Sequence, residues 1–240
     1  MTKSLLVARR EMHAYLRSPL GAVIIAAMLL IDGILFYWKG LTEALLSSQV
    51  LEEFFWAASG TTMIAAVLLS MRLIAEERQT GSFTLLNTSP IRDREIVLGK
   101  FLSVVGMIAL MTLLTIYMPL LIFVNGKVSV GHIAVGYAGL LLLGASVAAI
   151  GLFASALTRS QVVAGIVGAA VTGALLLLWI VARAVDPPLN EFLSAVALHH
   201  NNFRPFMLGT LELGPVVYYI AVTYFFLLAA TKVLEARRWR

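Results

Sequence analysis

Long apolar runs alternate with short polar segments along the whole chain. Six of these runs approach or exceed the ~20 residues that a helix needs to cross ~30 Å of hydrocarbon. They lie near residues 20–38, 54–74, 101–124, 133–157, 162–182 and 216–234. Only Thr158 to Gln161 separate the fourth run from the fifth, which predicts a tight antiparallel hairpin. The pattern therefore predicts an all-α integral membrane protein with six transmembrane helices.

Composition supports this class of protein. Hydrophobic residues make up 60% of the 240 residues and the mean hydropathy is +0.91, whereas soluble domains are ~45–50% apolar. The length suits one compact membrane domain without an added soluble enzyme domain. The chain has no cysteine, which excludes disulfides and cysteine-ligated zinc. The net charge of +5 comes from basic residues that flank apolar runs, so it predicts orientation in a lipid membrane and no nucleic-acid partner.

The basic residues fall unevenly on the two sides of the predicted bundle. An even number of spans places both termini on one side, which then holds fourteen of the 18 lysines and arginines. The other side holds four, Lys39, Lys127, Arg183 and Arg204. By the positive-inside rule, both termini and the segment Arg72–Lys100 are cytosolic.

Residues 1–18 have the pattern of an amphipathic helix. One predicted face is apolar (Leu5, Ala8, Met12, Leu16) and the opposite face is basic (Arg10, His13, Arg17). Such a helix lies in the headgroup layer, where Arg9, Arg10 and Arg17 would face anionic lipid. A cleaved signal peptide is the alternative, but the apolar run that follows is too long and lacks an Ala-x-Ala cleavage site.

The segment from Arg72 to Lys100 is the one long charged stretch between two apolar runs. Within it, Gly81 is expected to interrupt the helix leaving the second span and to allow a sharp turn. Phe83 and Leu86 then lie three residues apart, so that a helical turn would present both on one side. This pattern favours a docking segment that enters the groove of a soluble partner. A solvated loop is the alternative, although such a loop has no need of apolar residues in its middle.

The same segment predicts where the third span begins. Ser89 followed by Pro90 is typical of an N-cap with proline at the first helical position. The sequence therefore predicts that the helix of the third span starts there.

The predicted outer loop, residues 184–214, is too apolar for a free linker. We expect it to fold back on the outer mouth of the bundle as one or two short helices. His199 and His200 are adjacent, so their side chains point apart on regular backbone and do not predict a metal site. Capping or a place at the mouth is the simpler role for them, with Arg204 close by in sequence.

Asp32 lies inside the first predicted span. An intramembrane carboxylate is expensive and usually has a partner. Arg183, near the outer end of the fifth span, is one candidate for an ion pair. A protonated Asp32 facing a wet crevice is the other interpretation.

Two enzymatic interpretations fail on the residues themselves. A nucleotide-binding loop needs Gly-x-x-x-x-Gly-Lys-Ser/Thr, but Arg94 and Phe101 occupy two of those positions around Gly99-Lys100. A metalloprotease built from Glu76-Glu77 and the distant histidines would place its ligands on opposite sides of the membrane. We therefore predict that the chain is not an enzyme and has no cofactor of its own.

Three stretches together resemble a known family. The first is Glu76-Glu77-Arg78-x-x-Gly81-Ser82-x-x-x-Leu86, continued by Ser89-Pro90-Ile91 and Ile96-Val97-Leu98-Gly99-Lys100. The others are Gly151-Leu152-Phe153-Ala154-Ser155-Ala156-Leu157-Thr158-x-x-Gln161 and Leu234-Glu235-Ala236-Arg237-Arg238-Trp239. They resemble permeases of ABC-2 type transporters, and most of all the gliding-motility branch. Ser82 departs from the threonine expected at its position.

The resemblance implies a multi-pass permease of the bacterial plasma membrane, which is the inner membrane if the cell is Gram-negative, with both termini in the cytosol. It would pair with a second permease copy or a related permease and with two ABC ATPase subunits, which bind ATP and Mg. Its coupling residues would be Glu76, Glu77, Arg78, Gly81, Phe83 and Leu86. We expect residues 1–18 to be an interfacial helix and residues 19–240 one permease domain, with a coupling segment at 75–100.

Export is the direction that the resemblance favours. The alternative function is mechanical or signalling work on an outer-side accessory protein through the loop 184–214, without a transported substrate. A channel that needs no ATPase would leave the docking segment unexplained.

Overall fold

The computed structural model describes residues 3–41, 46–81, 92–126 and 128–238, and within these ranges it contains helices and no strand. The helices are α1 (Lys3–Arg17), α2 (Pro19–Leu35), α3 (Ser47–Ser70), α4 (Ala75–Gln79), α5 (Asp93–Leu114), α6 (Tyr117–Asn125), α7 (Val130–Leu157), α8 (Gln161–Ala182), α9 (Leu189–Val196), α10 (His200–Met207) and α11 (Leu213–Arg238). A π-helical segment, Phe36–Leu41, continues α2.

The described residues form six apolar helical stretches that are long enough to cross a membrane. They are Pro19–Lys39, Ser47–Gln79, Asp93–Val124, Val130–Leu157, Gln161–Ala182 and Leu213–Ala236. The prediction of an all-α membrane protein with six spans is thus confirmed. The hairpin between the fourth and fifth spans is also confirmed, because α7 ends at Leu157 and α8 begins at Gln161.

The fourth span, α7, lies at the centre of the bundle and packs against α3, α5, α8 and α11. Small residues allow the close approach: a Cβ added at Gly151 would collide with the Ser70 hydroxyl of α3. On α8, a Cβ at Gly168 would lie 3.4 Å from the Cα of Gly151. Gly168 belongs to a stripe of small residues that is buried within the chain, as intramolecular packing requires.

The bundle has two distinct ends. The terminal end carries α1, α4, the start of α5 and the last turns of α11, where Arg94 and Glu235 approach to 3.9 Å. The opposite end carries α9 and α10.

At the opposite end, residues 184–214 fold back as two short helices, as predicted. Phe203 and Phe206 of α10 are fully buried. The hydroxyl of Tyr219 donates to the Leu198 carbonyl at 2.9 Å, and the Leu198 amide donates to the Leu175 carbonyl at 3.0 Å. These bonds fasten the segment to the fifth and sixth spans.

The predicted amphipathic helix forms as α1 over Lys3–Arg17, and only part of its predicted apolar face is buried. Val7, Ala8 and Tyr15 are buried against the protein, while Leu5 and Leu16 are about half exposed. The helix packs along α5, because Gly99 has no side chain and Val7 fills that space. Leu5 and Leu16 thus form a second apolar face, which is directed away from the rest of the protein.

Among the described residues, the helix of the third span begins at Asp93. It follows an extended Arg92 whose amide donates to the Glu95 carboxylate at 2.9 Å. The predicted cap residues Ser89 and Pro90, like Phe83 and Leu86, lie outside the described residues.

Candidate functional site

The second span stops at Ser70 and resumes as α4 after a turn, and Ser155 of α7 holds that break. The Ser155 hydroxyl donates to the Met71 carbonyl at 2.9 Å and accepts the amides of Ile74 and Ala75, both at 3.0 Å. Ser155 is fully buried. One side chain on the fourth span therefore satisfies the backbone groups that the break leaves without helical partners.

Two further contacts fix the direction of α4. A guanidinium nitrogen of Arg78 donates to the Ala156 carbonyl at 2.6 Å, which is near the C-terminal end of α7, where a cation is favoured. Arg72 pairs with Glu76 one turn later, at 2.7 Å. The Arg72 guanidinium also lies over the ring of Tyr15, at 4.9 Å.

Four charged residues meet where α1, α4 and α5 converge, and we call them the charged junction: Arg10, Glu11, Glu77 and Lys100. Lys100 is only 1% exposed. Its ammonium nitrogen lies 2.8 Å from a carboxylate oxygen of Glu77 and 3.3 Å from one of Glu11. A guanidinium nitrogen of Arg10 lies 2.7 Å from the same Glu11 oxygen and 3.4 Å from the same Glu77 oxygen.

The junction is electrically balanced, with two cations against two carboxylates. Burial alone would raise the pKa of Glu11, but the charges of Lys100 and Arg10 more than offset it and the pKa is lowered. The hydrogen bond to Glu11 in turn raises the pKa of Arg10. Loss of Lys100 would leave Arg10 as the cation that both carboxylates contact, and removing one partner of a buried ion pair leaves an uncompensated charge.

Tyr15 fastens α1 to the second span beside the junction. Its hydroxyl donates to the Leu69 carbonyl at 2.7 Å, and the side chain is 1% exposed. Burial raises the pKa of the Tyr15 hydroxyl, so it remains a neutral donor. Together with the charged junction, this bond links α1 to the second and third spans.

The predicted coupling residues fall into two groups. The first group, Glu76, Glu77 and Arg78, lies on α4. Glu76 pairs with Arg72, Glu77 contacts Lys100 of the third span, and Arg78 contacts the fourth span. Gly81 follows α4 with a φ of +74°, a left-handed conformation that favours glycine at a helix end, which agrees with the predicted turn. The second group, Phe83 and Leu86, which are predicted to dock on a partner, lies outside the described residues.

The other predicted basic residues of α1 lie on its surface. Arg9 and Arg17 are exposed, and the Arg10 side chain is 60% exposed although it reaches the junction. This arrangement leaves the three side chains accessible on the terminal end.

The predicted pair of Asp32 and Arg183 is not formed. One Asp32 oxygen accepts the Thr61 hydroxyl at 2.8 Å, and the side chain is buried. The Arg183 guanidinium lies over the Trp179 ring at 4.4 Å. Arg183 follows the last turn of α8, so this contact is with its own helix.

The histidines of the opposite end take separate positions. His199 contacts the Ser59 hydroxyl through Nε2 at 2.7 Å, and burial, followed by the effect of His200, lowers its pKa to about 4. The His200 ring stacks on Trp179 with centroids 4.4 Å apart. Arg204 is exposed on α10. Among the described residues, no group of three or more His, Cys, Asp or Glu is placed to hold a metal ion.

Glu11 is a member of the charged junction that the sequence pattern did not single out. It is the only acidic residue before Asp32, and it lies three residues after Ala8 and four before Tyr15 on the packed face of α1. A lone acid among basic neighbours on a helix face that is otherwise apolar was the available signal. The sequence pattern does not predict that Lys100 is buried, whereas its side chain is only 1% exposed in the structure.

These observations define a multi-pass helical membrane protein whose terminal end ties an amphipathic helix to the break in its second span. The chain matches the model of the ABC-2 family transporter proteins over residues 5–231. It belongs to that family, whose members are the membrane components of ABC transporters. A comparison with curated proteins gives no match.

Proposed function

We propose that this chain is the permease subunit of an ABC exporter, driven by a separate ATPase that docks on residues 75–100. Two permease chains and two ATPase subunits would form the complete transporter, with ATP and Mg bound in the ATPases. The terminal end would face the cytosol of a bacterium. Export and the gliding-motility branch rest on the resemblance of the loop from Glu76 to Lys100.

The charged junction is the observation that best supports this coupling. A force applied to the residues after Gly81 reaches α4, which is held to α7 by Ser155 and Arg78. It also reaches α5 and α1 through the contacts of Glu77 and Lys100. Because buried ion pairs and close packing resist local yielding, docking of an ATPase would displace four elements together.

The test is co-purification with the ATPase. The full chain, carrying an affinity tag and expressed with an ABC ATPase from the same organism, should elute in mild detergent as two permeases and two ATPases. Native mass measurement gives the stoichiometry. A fully active preparation that contains one permease and one ATPase would contradict the proposal.

Transport and mechanical signalling differ in what stimulates the reconstituted complex. An exporter should show ATPase activity that rises with a transported substrate. A signalling complex should instead respond to an outer-side protein and move no substrate.

A further inference from the structure

Asp32 is a buried acid that the coupling mechanism does not use. It lies on the first span and is 2% exposed. One of its oxygens accepts the Thr61 hydroxyl, and its second oxygen has no hydrogen-bond partner among the described residues. Carboxylates inside a membrane normally pair with a cation or face water. Within the described part of the chain, a negative charge on Asp32 would have only the Thr61 hydroxyl to stabilise it.

The Asp32 side chain lines a small cavity at the boundary of the first and second spans. The cavity has a volume of about 10 Å³, which is close to the least that one water molecule needs. Its walls are mostly apolar, and its other polar lining residues are Lys39 and Glu53. These two form an ion pair at 2.9 Å with side chains 42% exposed, so they stand at the mouth on the opposite end.

The backbone changes at the same place. The π-helical segment begins at Phe36, and the Phe36 amide bonds to the carbonyls of both Asp32 and Gly33. Lys39 lies on this segment, seven residues after Asp32, or ~10 Å along a helix axis. Single π-helical turns inside α-helices are frequent at functional sites.

The residues that line the cavity favour a proton over a metal cation as the ligand of Asp32. A hard metal cation takes about six oxygen ligands, whereas this cavity offers carboxylates from Asp32 and Glu53 only, and Lys39 already pairs with Glu53. A proton needs a single oxygen. The titratable groups that face Asp32 from the packed elements are Lys39 of the π-helical segment, Glu53 of α3 and Tyr137 of α7.

We propose that Asp32 is a proton-binding site that exchanges with the aqueous phase at the opposite end, through the mouth formed by Lys39 and Glu53. In the neutral state the buried carboxyl keeps its bond with Thr61 and tolerates the apolar walls. Release of the proton requires water in the cavity. The site thus makes the contact between the first and second spans sensitive to pH on that side, and it does not depend on the proposed ATPase coupling.

Carbon NMR of the carboxyl groups tests this directly. The chain has three aspartates, Asp32, Asp93 and Asp186, so labelling aspartate Cγ with ¹³C in the full chain in lipid nanodiscs gives three signals. At about pH 5, where ordinary aspartates are ionised, one signal should have the ¹³C chemical shift of a protonated carboxyl group. As the pH is raised to about 9, that signal should move to the chemical shift of an ionised carboxylate.

Variants assign the signal and test the mouth. Asp32→Asn should remove it. Glu53→Gln should retain the Asp32 signal but change the pH at which it titrates. Glu191 is an exposed acid of α9 that does not line the cavity, so Glu191→Gln should leave that pH unchanged. If Asp32→Asn does not fold, the comparison of wild type with the two glutamine variants still decides.

Three results would overturn the proposal: all three signals titrate together, the protonated signal stays fixed between these pH values, or Glu53→Gln acts no more strongly than Glu191→Gln. The measurement contains no ATPase. A negative result therefore leaves the proposed permease function standing, and a failure of ATPase co-purification leaves the proton site standing.

Discussion

Replacement of Lys100 by methionine tests the charged junction quantitatively. Methionine has a similar length without the charge, so the change removes the cation that lies 2.8 Å from Glu77 and 3.3 Å from Glu11. Breaking a buried ion pair by removing one partner costs about 3–5 kcal/mol. Arg10 still contacts both carboxylates, and therefore we expect the lower end, about 3 kcal/mol.

The assay is reversible unfolding in mixed micelles with increasing dodecyl sulfate, which gives the free energy of unfolding of each variant. The control is Lys232→Met, because Lys232 is 62% exposed and pairs with Glu235 on the surface. Such surface pairs contribute at most about 1 kcal/mol. The double variant Glu77→Gln/Lys100→Met should lose less than the sum of its single changes, because it leaves one fewer uncompensated charge.

A Lys100→Met variant as stable as Lys232→Met would refute the reasoning. So would a strictly additive double variant, because additivity would mean that Lys100 and Glu77 do not interact. Either result would remove the physical link between α4 and α5 on which the proposed coupling depends.

Two further predictions concern the opposite end and the orientation. The pKa of His199 is lowered from 6.5 to about 4, so between these values the unfolded chain binds a proton that the folded chain does not. The free energy of unfolding should therefore fall by about 3 kcal/mol as the pH drops through this window. Thermal unfolding of His199→Gln should show a smaller fall over the same pH range. A fall equal to that of the wild type would contradict the assignment to His199. For orientation, a cysteine at Ser48 should react in intact cells with an impermeant thiol reagent, whereas one at Gln79 should react only after the membrane is opened. Labelling at Gln79 in intact cells would reverse the proposed topology.

The spans could be predicted from the sequence because a membrane requires ~20 apolar residues in each helix. The turn at Gly81 was also predictable, because glycine adopts a positive φ at a helix end more readily than other residues. Both features depend on local sequence. The same holds for the two short helices at the opposite end, whose apolar residues recur at helical spacing.

Features that join distant residues could not be predicted in this way. Lys100 and Glu11 are separated by 89 positions, and nothing in their local patterns specifies that they meet. The packed face of α1 depends on Gly99 in another helix, which admits Val7. Likewise, Asp32 bonds to Thr61 rather than to Arg183, because Arg183 is held against Trp179 on its own helix.

The central proposal is that a separate ATPase binds the chain at the segment that follows Gly81. Burial of Phe83 and Leu86 at an interface would contribute about 3–5 kcal/mol before docking costs. Two aspartates in their place would lose that burial and put unpaired carboxylates in the groove. The matched variant Glu76→Gln/Glu77→Gln alters α4 without changing these apolar residues.

The decisive measurement is therefore the amount of ATPase that co-purifies with each variant in mild detergent. Phe83→Asp/Leu86→Asp should insert and fold as the wild type does yet lose its ATPase. Glu76→Gln/Glu77→Gln should retain the ATPase while ATP turnover becomes weakly coupled to function. If a folded Phe83→Asp/Leu86→Asp variant retains its ATPase at wild-type stoichiometry, this segment is not the docking element and the account is contradicted.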